Sequence, residues 1–181
     1  MARYVALLRG INVGGKNQVR MADLKACFEG LGFQNVTTYI ASGNVLFDSA
    51  ERSSTKLTPL IEKALTKRFG YRAVVVVRSQ AQFRSIVEKA PKGYGSQPSR
   101  YRSDVLFLKP PISATATIKI VPTKEGVDEV HAGPGVLYFS RLASKASSSR
   151  LSRFASMPIY KSITARSWST TVKLQELMDG S

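Results

Sequence analysis

Two short segments of this chain match each other about ninety residues apart. ASGNVLFDS at Ala41–Ser49 and AGPGVLYFS at Ala132–Ser140 align without a gap. Each puts a glycine-containing turn directly before an apolar strand, the pattern of a β-hairpin. A second pair precedes them: VALLRG from Val5 and VLFLKP from Val105. Any two hairpins share turn chemistry, so the alignment gains weight from the order of elements around it, which also repeats. Self-similarity at a fixed spacing points to duplication. It favours folds in which one small unit is built twice, over the alternative that two hairpins merely look alike.

The first half reads as strand, helix, two strands, helix, strand. Arg3 to Arg9 is strand-like. Met21, Leu24, Phe28 and Leu31 form a helical stripe that Gly30 and Gly32 end. Asn35 to Ala41 and Val45 to Phe47 are short strands around the Ser42-Gly43-Asn44 turn. A second stripe runs from Leu57 through Ile61 and Leu65 to Phe69, with Thr58-Pro59 suited to its first turn and Gly70 to its stop. Ala73 to Val77 is a buried strand. Ser79 and Gln82 have capping-box spacing before a third helix that carries Phe83, Ile86 and Val87. The second half reads as a strand at Asp104 to Leu108, a weak helix at Ala114 to Ile120 and a hairpin at Val127 to His131 and Val136 to Phe139. A short helix at Ser149 to Ala155, a strand from Ser162 to Trp168 and a helix from Thr171 to Met178 complete it. The expected fold class is α+β: two tandem ferredoxin-like β-α-β-β-α-β units, antiparallel sheets with helices packed on them, arising by internal duplication. The expected division is residues 1–92, a Pro/Gly/Ser-rich linker at 93–102, and 103–181 with the C-terminal helix.

The opening forty-odd residues, ALLRGINVGGKNQVRMADLKACFEGLGFQNVTTYIASGNVLF, closely resemble the bacterial domain-of-unknown-function family 1697, as do VVVRS at Val75 to Ser79 and TARSWSTTVKLQEL at Thr164 to Leu177. The resemblance implies a small two-part α+β fold and carries no established activity. The family usually has Pro at Arg20 and Asn at Ser167 and Ser169. A ligand contact made by those Asn side chains would be altered in this chain.

Gly10 to Lys16, GINVGGK, fits the spacing of a phosphate-binding loop after a strand. Asn17 stands where such a loop needs a magnesium-binding hydroxyl, and the helix begins too late, near Met21. Asp48 follows an apolar strand, but that strand is the return arm of a hairpin. A nucleotide triphosphatase is therefore not expected. A simpler anion site is: Gly10, Gly14 and Gly15 could converge backbone N–H groups, with Arg9 and Lys16 adding charge. In a split β-α-β unit this loop and Ser42-Gly43-Asn44 lie at one end of the sheet, so Asn12, Ser42 and Asn44 should converge. The alternative is that the glycines only make turns. Arg166, Trp168 and Lys173 form a second candidate, with Trp168, the single tryptophan, also suited to plugging a seam.

Composition bears on partners. The net charge is +15 and the pI about 10.3, a field that attracts phosphates, nucleic acid or anionic surfaces. No Asp or Glu occurs from Val130 to Gln175, while Arg141, Lys145, Arg150, Arg153, Lys161, Arg166 and Lys173 do. That stretch could hold nucleic acid through its backbone, or be a solvated basic face. The strands lack the aromatic and basic pattern of RNA-recognition sheets, which argues against sequence-specific RNA reading. The single histidine, His131, has no ligand-spaced partners, and neither a metal nor a cofactor is expected. The single cysteine, Cys27, rules out an internal disulfide and reads as core. No run approaches the roughly 20 apolar residues of a membrane helix and no signal peptide is recognised, so a cytoplasmic setting is expected. The favoured expectation is a non-metallic binding module for a small phosphorylated or carboxylated ligand at the Gly-rich loops. Sequence-nonspecific nucleic-acid binding and a ligand-free structural or interaction role are the alternatives. No acid–base pair stands out to assign catalysis.

Overall fold

The computed structural model describes residues 1–180. Its strands are β1 (Ala2–Leu8), β2 (Gln34–Tyr39), β3 (Asn44–Ser49), β4 (Val75–Ser79), β5 (Tyr101–Leu108), β6 (Asp128–Gly133), β7 (Val136–Leu142) and β8 (Ile163–Ser167). Its α-helices are α1 (Met21–Gly30), α2 (Ser54–Phe69), α3 (Gln80–Glu88), α4 (Ala114–Thr117), α5 (Leu151–Ala155) and α6 (Trp168–Asp179). The strands form two four-stranded antiparallel sheets, ordered β2-β3-β1-β4 and β6-β7-β5-β8. The chain is a mixed α+β fold with helices packed on both sheets. By internal contacts it divides into Met1–Phe83 with the C-terminal segment from Glu176, and Arg84–Gln175. No helix among the described residues is long and apolar enough to cross a membrane.

In the N-terminal unit, alternation along β1 sends Tyr4, Ala6 and Leu8 to the face on which Leu24, Phe28, Leu57, Ile61 and Leu65 of α1 and α2 are buried. Phe47 of β3 is the hub of this core. Its ring centroid lies 4.5 Å from Phe33, 5.5 Å from Phe28 and 5.6 Å from Tyr4. Burying each such ring stabilises by about 1.5–3 kcal/mol. In the C-terminal unit, Leu106, Leu108, Leu137, Phe139, Phe154 and Ile163 form the corresponding core.

Several boundaries differ from the sequence expectation. Helix α2 starts at Ser54, capped by Ser53, so Pro59 lies inside it. Tyr101 and Arg102, expected in a linker by the composition around them, belong to β5 and pair with Leu142 and Arg141. The preceding loop is tied down by Tyr94, whose hydroxyl lies 2.6 Å from the Asp104 carbonyl and 2.9 Å from that of Phe139. Trp168 opens α6 rather than ending a strand, because the Ser167 hydroxyl accepts the Thr170 N–H and caps the helix. The capping box at α3 is formed: Gln82 N–H donates to Ser79 Oγ, and Ser79 N–H to Gln82 Oε1.

Candidate functional site

The Gly-rich loop and the β2–β3 turn meet as topology requires. Leu8 N–H donates to the Gly43 carbonyl (2.9 Å), and the Asn12 amide donates to the Ala41 (2.9 Å) and Val19 (3.0 Å) carbonyls. Asn12 Oδ1 accepts from Val19 N–H at 2.8 Å. The Asn12 side chain thus clamps the loop to the turn. Asn44 is committed in the same way, its amide reaching the Tyr39 carbonyl and Ser42 Oγ. Gly10 sits at φ +70° and its carbonyl accepts from the Asn17 amide. Gly14 and Gly15, at φ +58° and +75°, turn a small hairpin closed by Lys16 N–H on the Val13 carbonyl. Lys16 stands exposed at its tip, ahead of α1.

The second expected cluster is spread out. Arg166 is buried in β8, donates to the Ala165 carbonyl (2.9 Å), and burial lowers its pKa to about 10. Lys173 is exposed on α6. Trp168 is half-buried. Its indole lies so close to Gly95 that a Cβ there would sit 2.0 Å from the Trp168 Cδ1 atom, and it meets the Tyr94 ring edge-on at 5.2 Å and 89°.

Trp168 lines a cavity of about 390 Å³ with Pro98, Tyr101, Arg102, Asp104 and Arg141. Its origin is a difference in strand length. Strand β5 pairs with β8 only from Asp104 to Leu108 but runs on to Tyr101 along β7, so the β8 side of Tyr101–Ser103 is left open where the chain turns into α6. A recess of about 450 Å³ adjoins the same two arginines and holds Ser147, Ser149, Ser152 and Tyr160.

Arg102 and Arg141 are directly opposite on paired strands. Like charges so placed repel. Among the described residues one carboxylate answers them: Asp104 Oδ2 lies 3.4 Å from Arg141 Nη1, with the two side chains 23% and 18% exposed. Asp128 is also opposite Arg141, but its oxygens already accept from Ser149 Oγ (2.6 Å), Lys124 N–H (2.8 Å) and Arg150 N–H (2.8 Å). The Arg102 side chain is exposed and is hydrogen-bonded to no described residue. Burial pushes the Asp104 carboxyl above its ordinary value, while Arg141 and Arg102 pull it back. The cluster can hold an anion by bidentate guanidinium contacts.

The structure therefore draws on both expected sets. Trp168 from the ligand set and Arg141 from the basic set line one cavity, while Lys145, Arg153 and Lys161 are exposed elsewhere on that stretch and Arg150 is half-buried. Arg102 and Asp104 were not anticipated. Their signal was present: in RSDVLFL, alternation puts Arg102 and Asp104 on the face that continues as Leu106 and Leu108. No group of three or more His, Cys, Asp or Glu side chains that could hold a metal occurs among the described residues.

The family described as "Protein of unknown function (DUF1697)" matches residues 1–138. A solved structure, that of the conserved bacterial protein SP0830 from Streptococcus pneumoniae, is similar over 98% of this chain and 98% of its own, at 27% identity and a TM-score of 0.85. No curated protein matches the chain.

Proposed function

We propose that this chain, which belongs to the DUF1697 family of proteins of unknown function, is a non-metallic binding module for a small anionic ligand held between Arg102 and Arg141. The observation that carries the reading is the direct cross-strand pairing of two arginines beside a cavity, with Asp104 as the one carboxylate bonded to either among the described residues. An anion between the guanidinium groups would relieve their repulsion and complete the donors of Arg102. Calorimetric titration with inorganic pyrophosphate is the test. Saturable binding that weakens at least about tenfold in Arg102→Ala and in Arg141→Ala supports it, a loss of the order of one charge-assisted contact. Equal binding by all three proteins overturns it.

The Gly-rich loop offers a second anion position, supported by the meeting of Arg9–Lys16 with Ser42–Asn44. Arg9→Ala and Lys16→Ala test it by the same titration. Nucleic-acid binding draws support from the exposed Lys145, Arg153, Lys161 and Lys173 of the acid-free stretch. It requires affinity for labelled strands that falls steeply with salt, and a flat salt response removes it. For the architecture, we read the two units as ferredoxin-like copies from one duplication. The shared strand order supports this.

A further inference from the structure

We infer that the ligand of the two-arginine site is a phosphorylated compound bearing a flat aromatic ring, of the size of a nucleoside monophosphate. The inference rests on the anion-binding reading above and adds the identity of the second half of the ligand. The cavity beside Arg102 and Arg141 is walled by Trp168, Tyr101 and Pro98. At about 390 Å³ it falls in the range of roughly 300–1,000 Å³ typical of small-ligand sites. An inorganic anion would leave most of that volume and its apolar wall unfilled.

The indole is held rigidly, which suits it to stacking. Close contact with Gly95 and the edge-on Tyr94 ring fix it, and Tyr94 is anchored in turn by its hydroxyl on the Asp104 and Phe139 carbonyls. A preorganised aromatic surface loses little freedom when a ring stacks on it. The charged half is equally disposed. A phosphate at the Arg102–Arg141 pair would have the Ser147 and Ser152 hydroxyls within the adjoining recess as further donors. Asp104 lines the same cavity, 3.4 Å from Arg141, and can accept a hydrogen bond from a sugar hydroxyl or a ring amino group.

The test compares adenosine 5′-monophosphate with ribose 5-phosphate, which has the same phosphate and sugar without the ring. Because the chain has one tryptophan, its emission reports on Trp168 alone. The expected result is a saturable change in that emission with the nucleotide, and calorimetric affinity about tenfold tighter than for ribose 5-phosphate, the scale of one base–aromatic stack. Trp168→Leu should remove the advantage of the nucleotide over ribose 5-phosphate. If Trp168→Leu fails to fold, the wild-type comparison alone decides. Equal affinity for the two ligands overturns the ring subsite and leaves the anion reading standing. Absence of binding by both, and by pyrophosphate, overturns the two together.

Discussion

A methyl group at position 43 would lie 2.7 Å from Ile11 Cδ1 and 2.9 Å from Leu8 Cβ, at a φ of +92°. Neither neighbour can yield, since Leu8 and Ile11 are both buried. Gly43→Ala is expected to lower stability by about 2–4 kcal/mol in urea denaturation, combining backbone strain with overpacking. A loss below about 0.5 kcal/mol would mean that the two loops do not interlock. Ile40, in the same turn, is the converse case. It is β-branched, sits at φ +53° and is 47% exposed, so it has strain with little burial to offset it. Ile40→Asn should raise stability by about 1 kcal/mol, because Asn tolerates the left-handed region. Asp104 has a pH signature of its own. Its carboxyl is raised in the folded chain by burial, so the folded state holds that proton more tightly than the unfolded state. Its contribution is therefore present at low pH and is lost as pH rises from the ordinary carboxylate value through the raised one. Stability measured against pH for wild type and Asp104→Asn should show the wild type losing ground over that interval. Parallel curves would mean that Asp104 is not perturbed. The glycine at 43 could be read from the sequence as a turn residue. Its contact with Ile11 could not, because residues 11 and 43 are joined only by the packing of two loops.

Helix α2 shows how local signals mislead and why the rest of the element prevails. Thr58-Pro59 resembles a helix start, yet the Ser53 cap and the buried Leu57 carry the helix a turn earlier. Pro59 then removes the amide that would bond the Thr55 carbonyl and crowds that oxygen. Pro59→Ala should raise stability by about 1–2 kcal/mol in chemical denaturation, part of the gain being cancelled by the freer unfolded chain. No gain would indicate that the helix bends to accommodate the ring. Elements with strong periodicity or reciprocal caps, such as α1 and α3, were legible. The ends of β5 and β8 were not, since the composition of residues 93–102 suggested a linker while pairing with β7 recruited Tyr101 and Arg102. That error conceals the candidate site. The unequal ends of β5 and β8 create the cavity, and Arg102 meets Arg141 only because β5 extends that far.

Across the whole chain the same placement recurs in each unit. Arg78 pairs with Val5 and Arg166 with Val105; each is buried, and each donates to the carbonyl of the residue before it. This is in keeping with the proposed duplication, and it was foreshadowed by the hairpin repeat, whereas the cavity at Trp168 had no counterpart in the repeat to announce it. The +15 charge acts on both units at once. Self-repulsion of that size destabilises a compact state, and salt weakens it, the screening length falling to about 10 Å at 0.1 M. Sodium chloride should therefore raise the melting temperature by a few degrees between about 10 and 300 mM, to the same extent in wild type and in the Arg102→Ala/Arg141→Ala double variant after allowing for its two lost charges. Phosphate at matched ionic strength should add a further rise in wild type only. Screening depends on the summed field and is indifferent to which two arginines remain, whereas a site depends on those two. An equal phosphate excess in both proteins would mean that the anion is drawn by the field of the whole chain, and that the paired arginines are merely part of it.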